Sequence, residues 1–312
     1  MIQAWNVQTG YQSNVGESSV FLTGAGGFLG RAVVKRLIAG DSGPIVCLVR
    51  RPGAIASSKI SYIKGDLLDP KSYRDHLKGC DTVLHLAAIT GKAAPSEYLG
   101  VNRDATAMLA QEAARATVKK FIFVSSIAAK FKDPDYHYGQ SKLEAERKLR
   151  QTALDWIIVR PTMILGTGSP IEQSLAKLAT MPVVPIFGNG KVRVQPVFVN
   201  DLAKCLVDML DDGSLSRRTI EIGGPQVVTI EELMQLIRQR RGNRSHSAVC
   251  HLPIGPISAC LRLAEPLLRP LLPFTSGQLA SFRHDGVAEP DAWITARQAG
   301  MRLIKEMLNA EA

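Results

Sequence analysis

Through the first half of the chain, short runs of continuously apolar residues alternate with stretches of helical periodicity. This alternation narrows the possible folds more than any other feature. Val20 to Thr23, Ile45 to Val49, Ser61 to Lys64, Thr82 to Leu86, Lys120 to Ser125 and Trp156 to Val159 read as strands. Phe28 to Ala39, Pro70 to Lys78, Glu97 to Thr117 and Tyr138 to Thr152 read as helices. Strands that are apolar throughout are buried on both faces, and helices packed on both sides of a parallel sheet provide that cover. The fold expected is an α/β doubly wound parallel sheet. After Arg160-Pro161 the pattern loosens and Pro and Gly become frequent. Thr229 still opens a clear helix, with Glu232 completing a capping box.

The junction of the first strand and first helix reads Thr23-Gly24-Ala25-Gly26-Gly27-Phe28-Leu29-Gly30. Phosphate oxygens need close backbone N–H groups, which a Cβ would obstruct, and glycine also supplies the positive φ of a tight turn. The helix that follows adds its dipole and free N–H groups. The spacing is Gly24-x-x-Gly27-x-x-Gly30, and within a βαβ unit it marks a dinucleotide site. A site for NAD(H) usually has an acidic residue at the end of the second strand. No acid lies between Pro44 and Lys64 here, and the strand runs into Arg50 and Arg51. Guanidinium forks suit a 2′-phosphate, so NADP(H) is expected ahead of NAD(H).

Tyr138-Gly139-Gln140-Ser141-Lys142 opens a helix, and residues four apart share a helix face. A lysine cation near a phenol favours the phenolate, so the spacing predicts a lowered tyrosine pKa. Such a tyrosine can exchange a proton with a carbonyl or alcohol oxygen while a hydride moves. Ser125 and Ser126 end the fifth strand, at the edge where α/β proteins bind ligands. His85, at the end of the fourth strand, reads as a packed histidine rather than a catalyst.

Taken together, Thr23-Gly24-x-x-Gly27-x-x-Gly30, Gly65-Asp66-Leu67, His85-Leu86-Ala87-Ala88, Val101-Asn102, Ser125-Ser126, Tyr138-x-x-x-Lys142, Arg160-Pro161-Thr162 and Pro196 to Asp201 resemble the extended short-chain dehydrogenase/reductase superfamily, that of the NAD-dependent epimerases and dehydratases. The resemblance covers roughly residues 18 to 240. It implies a Rossmann-type fold whose cofactor contacts are Gly24, Gly27, Phe28, Leu29 and Gly30 at the loop, Asp66 and Leu67 at adenine, and Leu86, Ala87, Ala88 and Asn102 along the dinucleotide. Pro161 and Thr162 would flank the nicotinamide, with Lys142 on its ribose. Ser126, Tyr138 and Lys142 would be catalytic. The resemblance also implies a homodimer through the helices Glu97 to Thr117 and Tyr138 to Thr152. The stretch Arg193 to Asp201 keeps the frame of the family's sugar-phosphate segment without its chemistry. With the run Pro266 to Leu279, it resembles a divergent branch that includes complex I accessory subunits and quinone-biosynthesis relatives.

Composition bounds the alternatives. The 312 residues are 46% apolar and 21% charged, enough for a buried core and too little charge for wholesale disorder. The net charge of +10 is spread in short clusters with no nucleic-acid motif, so it favours anionic small ligands over nucleic acid. Cys47, Cys80, Cys205, Cys250 and Cys260 are odd in number with no pair at CxxC spacing. That implies neither a disulfide framework nor a metal site, and a reducing, cytoplasmic setting. Residues 1–18 hold no Lys or Arg and read as a flexible leader, not a targeting peptide. Ile254 to Phe274 is long and apolar but holds Arg262, Glu265, Arg269 and four prolines. It reads as Pro-broken helices packing on the fold, with membrane contact through 254–274 as the lesser alternative. The expected organisation is a leader over 1–18, a dinucleotide-binding domain over 19–165 and a mixed region over 166–312, part rejoining the sheet and part forming a smaller substrate lobe. The expected activity is hydride transfer between a nicotinamide cofactor and a small carbonyl or alcohol substrate, a nucleotide sugar among the candidates. The alternative is a non-catalytic NADP(H)-binding assembly or sensor protein, quinone- or membrane-associated.

Overall fold

The computed structural model describes residues 19–40, 42–51, 55–242, 248–269, 271–272 and 274–310, and the expected leader lies outside them. The first half runs β1 (Val20–Thr23), α1 (Phe28–Ala39), β2 (Ile45–Val49), β3 (Ile60–Lys64), β4 (Thr82–His85), α2 (Pro95–Tyr98), α3 (Ala105–Arg115), β5 (Lys120–Val124), α4 (His137–Arg150) and β6 (Asp155–Pro161). The second half runs β7 (Ile164–Leu165), α5 (Pro170–Ala179), β8 (Val183–Phe187), β9 (Arg193–Val194), β10 (Val197–Phe198), α6 (Val199–Asp211), β11 (Arg218–Ile222), β12 (Val228–Thr229), α7 (Ile230–Arg240), β13 (Ala248–Leu252), α8 (Ile254–Leu268), α9 (Ser276–Ala280), α10 (Ala292–Gln298) and α11 (Ile304–Asn309).

One seven-stranded sheet has the order β11-β6-β5-β4-β1-β2-β3. Every pairing in it is parallel. Side chains alternate across the sheet, so Val20 and Leu22 pack with Val33 and Leu37 of α1 and Leu206 of α6. Phe21, on the opposite face, joins Leu109 of α3 and Leu149 of α4. Both faces are thus covered, as the continuous apolar strands require. Strand order reverses between β1 and β4, which opens a crevice at their C-terminal ends.

β11 rejoins the large sheet beside β6, while β8 and β13 pair apart from it. A third cluster joins Leu175 of α5, Ile186 of β8, Leu233 of α7 and Met307 of α11. The Thr229 cap on α7 is present, with Glu232 reaching back to it.

Three expected helices differ. The stretch Glu97 to Thr117 is divided: α2 passes into a π-helical segment, Leu99–Asp104, before α3. Pro70 to Lys78 forms two 3-10 turns, Pro70–Ser72 and Arg74–Leu77, the first capped by the Asp69 side chain. Ile254 to Phe274 is not broken at Pro256 or Pro266; α8 runs through both. Pro256 falls in the first turn, where its missing N–H is not needed. Among the described residues, no helix is long and apolar enough to cross a membrane.

Candidate active site

Because β1 to β6 are parallel, the segments leaving them emerge at one edge of the sheet. Following the spatial order from β3 to β6, that edge carries Asp66 and Leu67, then Arg50 and Arg51, the glycine loop, Leu86 to Ala88, Ser125 and Ser126, and Pro161 and Thr162. At the usual strand spacing, the two ends of this row lie roughly 20–25 Å apart. An extended ligand can therefore lie across the sheet with one end at β3 and the other at β6.

The glycine loop is built for close approach. Gly24 has φ +77°, and a Cβ there would sit 2.7 Å from the Ala87 nitrogen. A Cβ on Gly30 would sit 2.0 Å from the Gly24 carbonyl oxygen, so α1 can rest on the turn only with glycine here. The Gly27 N–H donates to that same oxygen at 2.9 Å. Gly26 and Gly27 are exposed, and Phe28 and Leu29 are half-buried. No side chain caps α1, and its first turn has no acidic residue. An uncapped helix start behind exposed glycines fits the phosphates of a dinucleotide. Arg50 and Arg51 are exposed at the end of β2. Sequence reasoning passed over Arg31, whose guanidinium donates to the Gly26 carbonyl at 3.0 Å on the same exposed rim. Its position just after Gly30 was the available signal. Asp66 is exposed and accepts from the Leu68 N–H at 2.9 Å, forming a local turn.

At the other end of the row, the two serines separate cleanly. The Ser125 hydroxyl is buried and donates to Glu146 Oε1 at 2.7 Å. Ser126 caps a 3-10 turn, Ile127–Lys130, by accepting from the Ala128 N–H at 3.2 Å. Its side chain also influences the Tyr138 phenol, favouring the phenolate against the effect of burial. The close approach of α4 to this turn depends on Gly139, where a Cβ would lie 2.5 Å from the Ala128 carbonyl oxygen. Gly139 is one of the unassigned positions within Tyr138-x-x-x-Lys142. Tyr98, also unforeseen, meets Tyr138 edge-on at 6.0 Å, and the Tyr136 ring lies 6.1 Å from Tyr138.

The electrostatics depart from the spacing argument. Burial among these rings pushes the Tyr138 phenol up to about 12, the reverse of the lowering expected from Lys142. Lys142 is itself buried, and its ammonium donates to the Val124 carbonyl at 2.8 Å, above the Phe123 ring. Burial brings its pKa down to about 7, with the Glu146 carboxylate opposing. Burial thus weakens the charge on Lys142 and keeps the phenol protonated at neutral pH, so in this state the phenol is a proton donor.

Glu146 is fully buried and held from three sides. It accepts from the Ser125 hydroxyl, from Arg160 at 2.8 and 2.7 Å, and from Arg150 at 3.0 Å. Removing one partner of such a buried pair typically costs 3–5 kcal/mol, because the other charge stays behind unpaired.

His85 is a packed residue, as its sequence position suggested. The Ala87 N–H donates to Thr23 Oγ1 at 3.2 Å, and that hydroxyl lies 2.6 Å from His85 Nδ1. Nε2 lies 2.9 Å from Thr106 Oγ1, whose own proton goes to the Asn102 carbonyl at 2.7 Å. With that proton spent, Nε2–H must donate and Nδ1 must accept from Thr23. Burial drives the imidazole down to about 3, keeping it neutral. Asn102, expected at the cofactor, spends its side chain inside the protein. Its oxygen accepts from the Ile89 N–H at 2.8 Å, and its NH₂ donates to the Ile89 carbonyl and to Ser141 Oγ. It therefore braces the loop after β4 against α4. Thr162 is likewise buried and donates to the Gln195 carbonyl.

The model of a family described as NAD(P)H-binding matches residues 24–212. The ceramide reductase of Caulobacter vibrioides is 34% identical over 192 residues, which cover 60% of this chain and 59% of that protein. The mitochondrial NADH-ubiquinone oxidoreductase 40 kDa subunit of Neurospora crassa is 25% identical over 294 residues, 91% of this chain and 75% of that protein. Among solved structures, a nucleoside-diphosphate-sugar epimerase of Staphylococcus aureus superposes with a TM-score of 0.74 at 18% identity, over 94% of this chain and 100% of that one, a likeness of fold.

Proposed function

Since the chain belongs to the NAD(P)H-binding family, we propose that it is an NADP(H)-dependent oxidoreductase or epimerase acting on a carbonyl or alcohol carbon. The observation that carries this reading is α4 seated on the turn that Ser126 caps, which brings Tyr138 and, one helical turn further, Lys142 to the same sheet edge as the glycine loop. The nicotinamide, when bound, supplies or accepts the hydride. Ser126 orients the substrate oxygen and Tyr138 delivers its proton to that oxygen or takes one from it. Lys142 adjusts the phenol and serves the ribose. Screening carbonyl compounds, alcohols and nucleotide sugars by nicotinamide absorbance, with Tyr138→Phe alongside the wild type, tests the reading. The similarity to a complex I subunit over 91% of the chain favours a second reading, a binding protein without turnover. In that case no substrate is turned over and Tyr138→Phe leaves the protein's role intact.

Arg50 and Arg51 at the end of β2, with exposed Arg31 at the glycine loop, support NADP(H) over NAD(H). NADPH is expected to bind about tenfold tighter than NADH, one charge-assisted contact's worth. Calorimetry at a single salt concentration measures both constants; equal values, or a preference for NADH, would refute the assignment. A homodimer through α3 and α4 belongs to the same reading. Sedimentation at micromolar concentration is expected to show the dimer, and a monomer alone would count against it. A cytoplasmic setting suits the five free thiols.

A further inference from the structure

We infer that the outer face of α8 docks on an anionic lipid surface, its leucine stripe entering the interface and its flanking cations meeting the headgroups. The inner face of α8 is already satisfied: Leu261 packs with Phe187 and Leu279, and Ile257 lies against that cluster. The outer face carries surplus apolar surface. Leu263 is 84% exposed, Leu267 86% and Leu271, in the turn that continues the helix, 81%. Exposed Pro256 and Cys260 extend the same row toward the N-terminus, at spacings of three and four residues. A contiguous row of exposed leucines marks an interaction surface. A fifteen-residue helix is too short to span a bilayer, but a helix with one apolar face can lie in the interface plane.

The charges decide which partner fits. Lys92, whose ammonium donates to the Leu272 carbonyl at 2.7 Å, and Arg269 flank the row, while Arg262 is paired with Asp135. The acids nearby are engaged: Asp135 pairs with Arg262 and Arg283, and Glu265 accepts from the Ser276 N–H. In a two-fold contact between copies, such a patch meets its own image, cation against cation. An anionic headgroup layer complements those cations instead, and the chain's +10 net charge acts in the same direction. The segment also borders the candidate site: Lys92 holds the Leu272 carbonyl, and Tyr98, whose phenol donates to the nearby Gly91 carbonyl, meets Tyr138 edge-on. Docking there would place the mouth of the site at the lipid surface.

The test needs no substrate. Vesicles of phosphatidylcholine, with and without added phosphatidylglycerol, are sedimented with the full chain. Binding is expected on the anionic vesicles, weakening as salt is raised. The triple change Leu263→Ser, Leu267→Ser and Leu271→Ser is expected to lower partitioning by about a hundredfold while the thermal midpoint and NADPH affinity hold. Leu263→Ser and Leu271→Ser alone should each give an intermediate loss, which keeps the test decisive should the triple variant fail to fold. No binding to anionic vesicles, or equal binding by these variants, overturns the inference. So does a dimer that the same changes dissolve, which would make the stripe a contact between copies. A protein that binds vesicles but turns over nothing would sink the catalytic reading and leave this one standing.

Discussion

Tyr138→Phe is expected to lower turnover by about 10²- to 10⁴-fold, the usual contribution of a positioned general acid or base. The change keeps the ring and its edge contact with Tyr98, so packing is nearly preserved. NADPH affinity should barely move, because the phenol stands on α4 and not at the glycine loop. Lys142→Ala should damage both turnover and cofactor affinity. A variant Tyr138→Phe that turns over substrate at near the wild-type rate would end the proposed mechanism. The cofactor-free protein offers a check of the electrostatics. Burial holds the phenol at about 12, so an ultraviolet difference titration against Tyr138→Phe should show no ionisation of this residue around neutral pH. An ionisation near neutrality would mean that the lysine outweighs burial.

Gly30→Ala is expected to weaken NADPH binding by about a hundredfold or more, equivalent to ~3 kcal/mol. The added carbon would meet the Gly24 carbonyl oxygen at 2.0 Å and Ala25 at 2.9 Å. Both contacts are backbone, so no flexible side chain can yield, and α1 must lift off the turn that shapes the cradle. Gly26→Ala is the control, since nothing lies within 4 Å of a Cβ there. Its thermal midpoint should stay at the wild-type value, while that of Gly30→Ala should fall. Calorimetry and thermal melts of the two variants decide the matter, and a Gly30→Ala protein with wild-type affinity would show that the loop does not hold the phosphates.

Much of this site could be read in the chain because its parts follow strands in register. β1 and β2 have the predicted limits, since a doubly buried strand is written as an unbroken apolar run and punctuated by glycine or arginine. The relatives matched bear out the resemblance to extended short-chain dehydrogenases, including its complex I branch. What escaped depends on tertiary contact. The spacing of Tyr138 and Lys142 put them on one helix face, but the direction of the phenol's shift is set by burial beside Tyr98 and Tyr136, remote or unflagged in sequence. The π segment Leu99–Asp104 left no mark in an alanine-rich pattern, because a hydrogen-bond slip does not alter which residues are apolar. In the second half, β7, β9, β10 and β12 are two residues each, too short for alternation to show.

The alignment of six strand ends along one edge has a thermodynamic consequence. The proposed contacts run from Gly24 to Thr162 and converge only when the whole parallel sheet has closed, so an unfolded chain offers the dinucleotide nothing comparable. A ligand that binds the folded form alone stabilises it by RT ln(1 + [L]/Kd), about 2.7 kcal/mol at a hundredfold excess over Kd. The melting temperature then becomes a gauge of affinity, and NADPH, NADH and the glycine variants can be ranked by heat alone before any substrate is in hand.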